Sequence, residues 1–322
     1  MKPDDSVRRS RTEPARFHES PGETRACREA EARGDYKNWM PKGMIHAFLG
    51  AAVAALALCL VIGCTGLLAA GTLKTILTVV FAILAVIFCG LTVWSILMYR
   101  TFSYNGKRRM SAQIIEGTAA RVKLPAGGKC LDVGCGSGAL AIAVAKRNPR
   151  AQVIGIDRWG AEYASFSKTL CERNAKAEGV TNTTFRQGDA THLDFPDETF
   201  DAVVSNYVYH NIPGKAALAL GQSCSSSKSW NGTARIKDSR RATARQQYLL
   251  ETLRTLKKGG TFAIHDIFSP TKYGDMQAFI KKLKAMGYQK AELIDTTNGK
   301  FMRKSEARWM GLSGSALLVG KK

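Results

Sequence analysis

The stretch Leu131-Asp132-Val133-Gly134-Cys135-Gly136-Ser137-Gly138 constrains this chain more than any other. An apolar strand delivers an acidic residue and then three glycines at alternate positions, and a helical pattern from Ala139 to Arg147 follows at once. Glycine permits a tight turn and lets backbone approach a ligand where a Cβ would collide. The start of the helix adds unpaired N–H groups and the positive end of its dipole. Together they predict a loop that cradles the polar part of a nucleotide-like cofactor. Gly134, Gly136 and Ala139 also satisfy G-x-G-x-x-A, so a dinucleotide site competes at this point.

Three carboxylates narrow the choice. Asp132, two residues before the first glycine, suits a cationic, amino acid-like group and would repel a pyrophosphate. Asp157 closes a predicted strand and offers a fork to both hydroxyls of a ribose. In Gly188-Asp189-Ala190 the carboxylate of Asp189 can take an adenine amino group while the Ala190 N–H faces a ring nitrogen. With these in place, residues 101–322 resemble the class I S-adenosylmethionine-dependent methyltransferases. The matching segments are LDVGCGSGAL at 131–140, VIGID at 153–157, GDATHLDFPDETFDAVVSNYVYHNI at 188–212 and LKKGGTFAIHD at 256–266. The resemblance implies S-adenosyl-L-methionine as cofactor. Asp132, Gly134, Cys135, Gly136 and Gly138 would hold its methionine part, Asp157 its ribose, and Asp189 and Ala190 its adenine. Arg158 and Asn206 complete the expected cofactor set.

The expected fold is α/β: a doubly wound, Rossmann-like seven-stranded sheet with an antiparallel last strand. Strands are predicted at Cys130–Val133, Val153–Asp157, Thr184–Gln187, Ala202–Asn206, Thr261–Asp266, Ala291–Asp295 and Ala316–Gly320. Helices are predicted at Ala139–Arg147, Ala161–Ala177, Gln246–Leu256 and Gly274–Met286, with none between the last two strands. Ligands of such sheets bind at the carboxyl ends of the strands, where the glycine loop, Asp157, Asp189 and Asn206 all fall.

A transmembrane helical hairpin is expected to precede this domain. Met44–Ala70 carries no charge and Thr75–Met98 no ionisable side chain except a cysteine, and a membrane span needs about 20 apolar residues. Only Gly71–Lys74 joins the two, so both ends lie on one side. Arg33, Lys37 and Lys42 precede the first span, and Arg100, Lys107, Arg108 and Arg109 follow the second. Such cationic flanks stay cytoplasmic. The expected organisation is therefore a polar, disordered segment over 1–43, two spans at 44–70 and 75–98, and a catalytic domain over 99–322. The localisation is a multi-pass cell-membrane protein with both termini and the domain cytoplasmic.

The formal charge of +21 raises nucleic acid as a partner. Its distribution argues otherwise, because residues 131–214, which bear most of the motifs, carry eight basic and ten acidic side chains. Excess positive charge sits instead at 99–130, 215–258 and 271–322. Attraction to an anionic leaflet accounts for the juxtamembrane share. None of the eight cysteines forms a zinc-type pair or cluster, so no metal is expected.

The acceptor reading turns on Ser205-Asn206-Tyr207-Val208-Tyr209-His210-Asn211-Ile212. Methyltransferases of base amino groups often place two prolines and an aromatic after the Asn or Asp here, and this chain has no proline before Pro213. The segment is instead similar to small-molecule methyltransferases with an aromatic, histidine-bearing loop. An oxygen or carbon acceptor needs a base, and His210 is the first candidate, followed by His265 and Asp266, with Tyr209 beside them. Tyr104 is expected to close over the cofactor. Gly221–Arg245, rich in Ser, Arg and Lys, departs from the family pattern and reads as a disordered insertion. The expected function is in-line methyl transfer to a small-molecule or lipid-like acceptor. The alternatives are an RNA-modifying methyltransferase and a catalytically impaired, membrane-bound cofactor-binding protein.

Overall fold

Seven strands build one sheet in the computed structural model, which describes residues 34–160, 165–212 and 244–322. They are β1 (Lys129–Val133), β2 (Gln152–Asp157), β3 (Thr183–Gln187), β4 (Phe200–Asn206), β5 (Leu256–Ile267), β6 (Lys290–Asp295) and β7 (Ser315–Lys321). Their order is β3-β2-β1-β4-β5-β7-β6, and β7 runs antiparallel to both β5 and β6. The expected doubly wound sheet with its antiparallel last strand is what forms. Each predicted strand lies inside an observed one; the inner strands, buried on both faces, read as short apolar runs between turn residues. The chain order reverses beside β1, which pairs with β2 on one side and β4 on the other. That switch point opens the crevice in which such sheets bind ligands.

Nine helices are described. They are α1 (Lys42–Cys64), α2 (Thr72–Phe102), α3 (Met110–Ala119), α4 (Ala139–Arg147), α5 (Lys168–Ala177), α6 (244–254), α7 (Pro270–Tyr273), α8 (Met276–Ala285) and α9 (Lys304–Trp309). Helix α4 matches its expected bounds. The helix expected from Ala161 starts at Lys168, where the Ser167 hydroxyl accepts from the Leu170 N–H at 3.1 Å, and 161–164 lie outside the described residues. Asp275 caps α8 in the same way, accepting from Gln277 and Ala278. Helix α9 corrects the expectation of no helix between β6 and β7. Glu306 accepts from the Arg303 backbone N–H at its start, at 2.8 Å, and six residues are too few to show a 3.6-residue period.

The two apolar segments form an antiparallel hairpin of helices long and apolar enough to cross a membrane. Only 17% and 11% of their most apolar windows is buried, unlike the core helix of a soluble domain. Helix α1 ends at Cys64 rather than Ala70, since Thr65 turns its hydroxyl onto the Val61 carbonyl. Lys74 therefore sits inside α2 and reaches back to the Thr65 carbonyl at 2.9 Å.

The expectation of a disordered segment through residue 43 is corrected over 34–43. Asp35 donates its N–H to Asn174 Oδ1, Tyr36 donates its hydroxyl to Glu178 at 2.7 Å, and Tyr36 and Met40 are buried. Residues 1–33 lie outside the described residues. A core cluster then ties the hairpin to the domain: Met40, Met98 and Phe102 pack with Met110, Ile114, Ile267, Phe301 and Met310. Phe301 is central to it, lying against Gly117 and, edge to face at 5.4 Å, against His265. We predict that Phe301→Ala costs about 3–5 kcal/mol and lowers the denaturation midpoint of the domain accordingly, read by chemical unfolding.

Candidate active site

The glycine loop is bound into the sheet by its own backbone. Gly134 and Cys135 both donate to the Ile156 carbonyl, at 2.8 and 2.9 Å, so the loop hangs from β2. Gly134, Gly136 and Gly138 all adopt positive φ, the left-handed region that glycine enters without a steric penalty. A Cβ on Gly134 would come within 2.2 Å of the Val208 side chain, so the loop after β4 packs directly on the glycine turn.

Asp132, at the end of β1, is 1% exposed, and neither of its carboxylate oxygens makes a well-formed hydrogen bond. Burial pushes its pKa up to about 8; the Ala141 backbone N–H offsets this in part, and the charge of Asp157 adds to it. An unpaired buried carboxylate is costly unless a cation meets it. A glycine cradle beside an orphaned acidic group fits S-adenosylmethionine, whose methionine part carries a cationic amino group.

Asp157 has a second duty that the sequence does not show. Its Oδ2 accepts from the Gly136 N–H at 2.9 Å and its Oδ1 from the Trp159 N–H at 2.8 Å. The Trp159 indole donates to the Gly136 carbonyl at 2.9 Å, and the Cys171 thiol to the same oxygen at 3.2 Å. Asp157 thus braces the loop while each oxygen keeps a second lone pair for a ribose hydroxyl. Asp189 is exposed and folds onto its own turn, accepting from both the N–H and the hydroxyl of Thr191 at 2.8 Å, and Ala190 packs half-buried on the core behind it. Arg158 follows on the rim. Cys135 is buried beside Ala139, and burial raises its thiol well above the ordinary range, so it is a packing residue and not a nucleophile. Tyr104 stacks on Tyr36 at 4.4 Å within the same cluster.

The acceptor edge is built after β4 and β5. His210 lies in a 3₁₀ turn (Tyr209–Asn211), and its Nδ1 is 2.5 Å from Asp266 Oδ1. Asp266 is fully buried and accepts also from the Ile267 and Tyr209 N–H groups and the Tyr273 hydroxyl. Burial raises its pKa, but His210, Tyr273 and Ile267 outweigh this and hold the carboxyl below its ordinary range. With Nδ1–H facing a carboxylate, Nε2 is left as the proton acceptor of the ring.

Three of the expected catalytic residues have partners of their own. His265 is fully buried, with ring nitrogens 2.9 Å from Asn206 Oδ1 and 3.0 Å from Thr296 Oγ1, and burial takes its pKa down to about 3. Tyr209 points into the core, its hydroxyl 2.6 Å from Thr252 Oγ1. Asp266 faces His210. Asn206, expected to touch cofactor, carries the His265 contact.

Other residues at this edge went unrecognised in the sequence. Tyr207, at φ 55°, stands edge-on to His210, His265 and Trp39. A non-glycine residue there stores strain, which concentrates at functional sites. Arg245 spreads its guanidinium over three carbonyls, those of Tyr209, His210 and Lys272, and so clamps the turn that bears His210. It lies in α6, correcting the expected disorder at the end of 221–245; residues 221–243 fall outside the described residues. Asn174 links the loop to the N-terminal segment, donating to the Ser137 and Asp35 carbonyls.

The raised pKa of Asp132 has a sign that can be tested. The folded chain holds the proton more tightly than the unfolded one, so stability falls as pH rises from the ordinary carboxylate range toward about 8. Asp132→Asn is therefore expected to raise the melting temperature of the cofactor-free chain at pH 8, the gain shrinking toward pH 4, as read by thermal unfolding.

Residues 124–310 match the family model described as a methyltransferase domain. A demethylmenaquinone methyltransferase of Geobacillus kaustophilus is 33% identical over 99 residues, 30% of this chain and 40% of that protein. A release factor glutamine methyltransferase of Xylella fastidiosa is 33% identical over 102 residues, 32% of this chain and 35% of the relative. The matched part thus spans well under half the length of these curated relatives. Among solved structures, an S-adenosylmethionine-dependent methyltransferase from Aquifex aeolicus aligns at a TM-score of 0.39 and 16% identity, over 64% of this chain and 88% of the other. The family match covers more than half the chain, and the protein accordingly belongs to the methyltransferase-domain family.

Proposed function

We propose that this methyltransferase is anchored in a membrane by its helical hairpin, with both termini and the domain cytoplasmic, and that it methylates a small, lipid-like acceptor at an oxygen or carbon atom. One juxtaposition carries the reading. The His210–Asp266 pair is bordered by Tyr207, and Tyr207 packs against Trp39, which meets Phe102 at 5.6 Å. Trp39 lies just before α1 and Phe102 ends α2. The acceptor edge therefore abuts the base of the hairpin, where a membrane-dissolved molecule would arrive. The relative that acts on demethylmenaquinone supports an acceptor of this class.

Asp132 and the glycine loop would hold the methionine part of the cofactor, Asp157 the ribose, and Asp189 with Ala190 the adenine. When bound, S-adenosylmethionine supplies an electrophilic methyl on a sulfonium, whose positive charge is discharged as the acceptor attacks in line. His210 Nε2 takes the proton that the acceptor loses, and Asp266 holds the ring in the orientation and tautomer for that transfer. Arg245 fixes the turn from the other side. Tyr207 and Trp39 align the acceptor and exclude water.

Radiolabelled methyl transfer by the full chain into fractionated lipid, metabolite, RNA and protein pools tests the acceptor class. Label in the lipid or small-metabolite pool is expected, and label confined to RNA or protein contradicts it. His210→Gln is expected to lower turnover by about 10²–10⁴-fold while leaving cofactor affinity unchanged in a binding titration.

A further inference from the structure

The segment between β6 and β7 is more than a connection. It carries four exposed cations and an exposed tryptophan, and the tryptophan meets the hairpin at Trp94. The helices set the level of that contact. Helix α2, at 31 residues, is about 46 Å long, whereas a hydrocarbon core is about 30 Å thick. Its C-terminal part must therefore leave the bilayer. Ser95, Met98 and Phe102 in that part are buried, while Val79, Ile83, Val86, Val93, Ile96 and Leu97 are exposed. A tryptophan favours the headgroup level, which puts the boundary near Trp94. The Trp94 indole N–H donates to the Trp309 carbonyl at 3.1 Å, and the two rings meet edge to face at 6.5 Å. Trp309 stands at the same depth.

Trp309 remains 43% exposed although Ala307, Met310 and Leu312 around it are buried. A tryptophan with an apolar ring and one polar N–H is the side chain that favours the headgroup level of a bilayer. Lys300, Arg303, Lys304 and Arg308 are exposed on the same segment. Glu306 is the sole acid between residues 296 and 312; Arg108 takes it up through two hydrogen bonds, and Arg303 lies 3.7 Å from it. The segment thus presents net positive charge around an interfacial ring. Lys42, at the start of α1, lies over the Tyr99 ring.

We propose that residues 300–312 form a foot that rests on an anionic lipid surface, Trp309 seated among the headgroups and the four cations against their phosphates. The proposal rests on the membrane-anchored reading above and adds the kind of lipid that the domain contacts. It also gives the foot a consequence for the site, since Phe301 on the same segment packs against His265, behind the acceptor edge. Seating the foot fixes the tilt of the domain so that this edge faces the bilayer.

Amide hydrogen exchange of the full chain in nanodiscs tests this, comparing phosphatidylcholine alone with phosphatidylcholine containing phosphatidylglycerol. The amides of 300–312 are expected to exchange about fivefold more slowly on the anionic discs, with those of α5 unchanged. The double variant Lys304→Glu/Arg308→Glu, at two exposed positions, is expected to lose that difference. Residues 76–93 serve as the reference for the anchor. If they are protected while 300–312 ignore lipid charge, the foot is wrong and the anchor stands. If they exchange freely in both discs, the anchor fails and the foot with it.

Discussion

Burying a carboxylate with nothing to pair it is the constraint on which the rest of this site depends. Asp132 lies near the carboxyl end of β1, shielded from water and without a well-formed hydrogen bond. Burial raises its pKa to about 8, and a cationic ligand group beside it would offset that cost. The surrounding structure keeps the carboxylate in place: Asp157 braces the glycine loop from β2, Trp159 and Cys171 hold the Gly136 carbonyl, and Asn174 holds that of Ser137. A loop tethered at this many points is preorganised for its ligand, so little ordering remains to be done on binding.

The same logic organises the acceptor edge. Asp266 sits at the centre of a hydrogen-bonded cage that aims one imidazole, and Arg245 secures the turn beneath it. Tyr207 joins this cage to the aromatic residues at the base of the hairpin. The glycine loop, the His210 turn and the hairpin are therefore linked by one chain of packed side chains.

The sheet was legible in the sequence because buried strands are apolar runs cut by glycine and polar turns. The cofactor loop was legible because its glycines follow such a strand. Residue type alone did not reveal direction. His265 and Asp266 are neighbours on β5, and successive side chains of a strand point to opposite faces. One consequently meets Asn206 and Thr296, the other His210. Tyr209 and His210 part in the same way across a turn. Trp39 and Tyr36 stand alone in a polar stretch with no periodicity to mark them, and Arg245 borders a segment whose composition reads as unstructured. Their roles arise from contacts distant in the chain, such as the bond between Tyr36 and Glu178.

Titration of S-adenosylmethionine into the chain in lipid nanodiscs, followed calorimetrically, tests the central claim most directly. Saturable binding at one site per chain, lost when Asp132 and Asp157 are both replaced by alanine in a chain that still melts cooperatively, is the predicted result. No binding by the unaltered chain, or undiminished binding by the double variant, would contradict it.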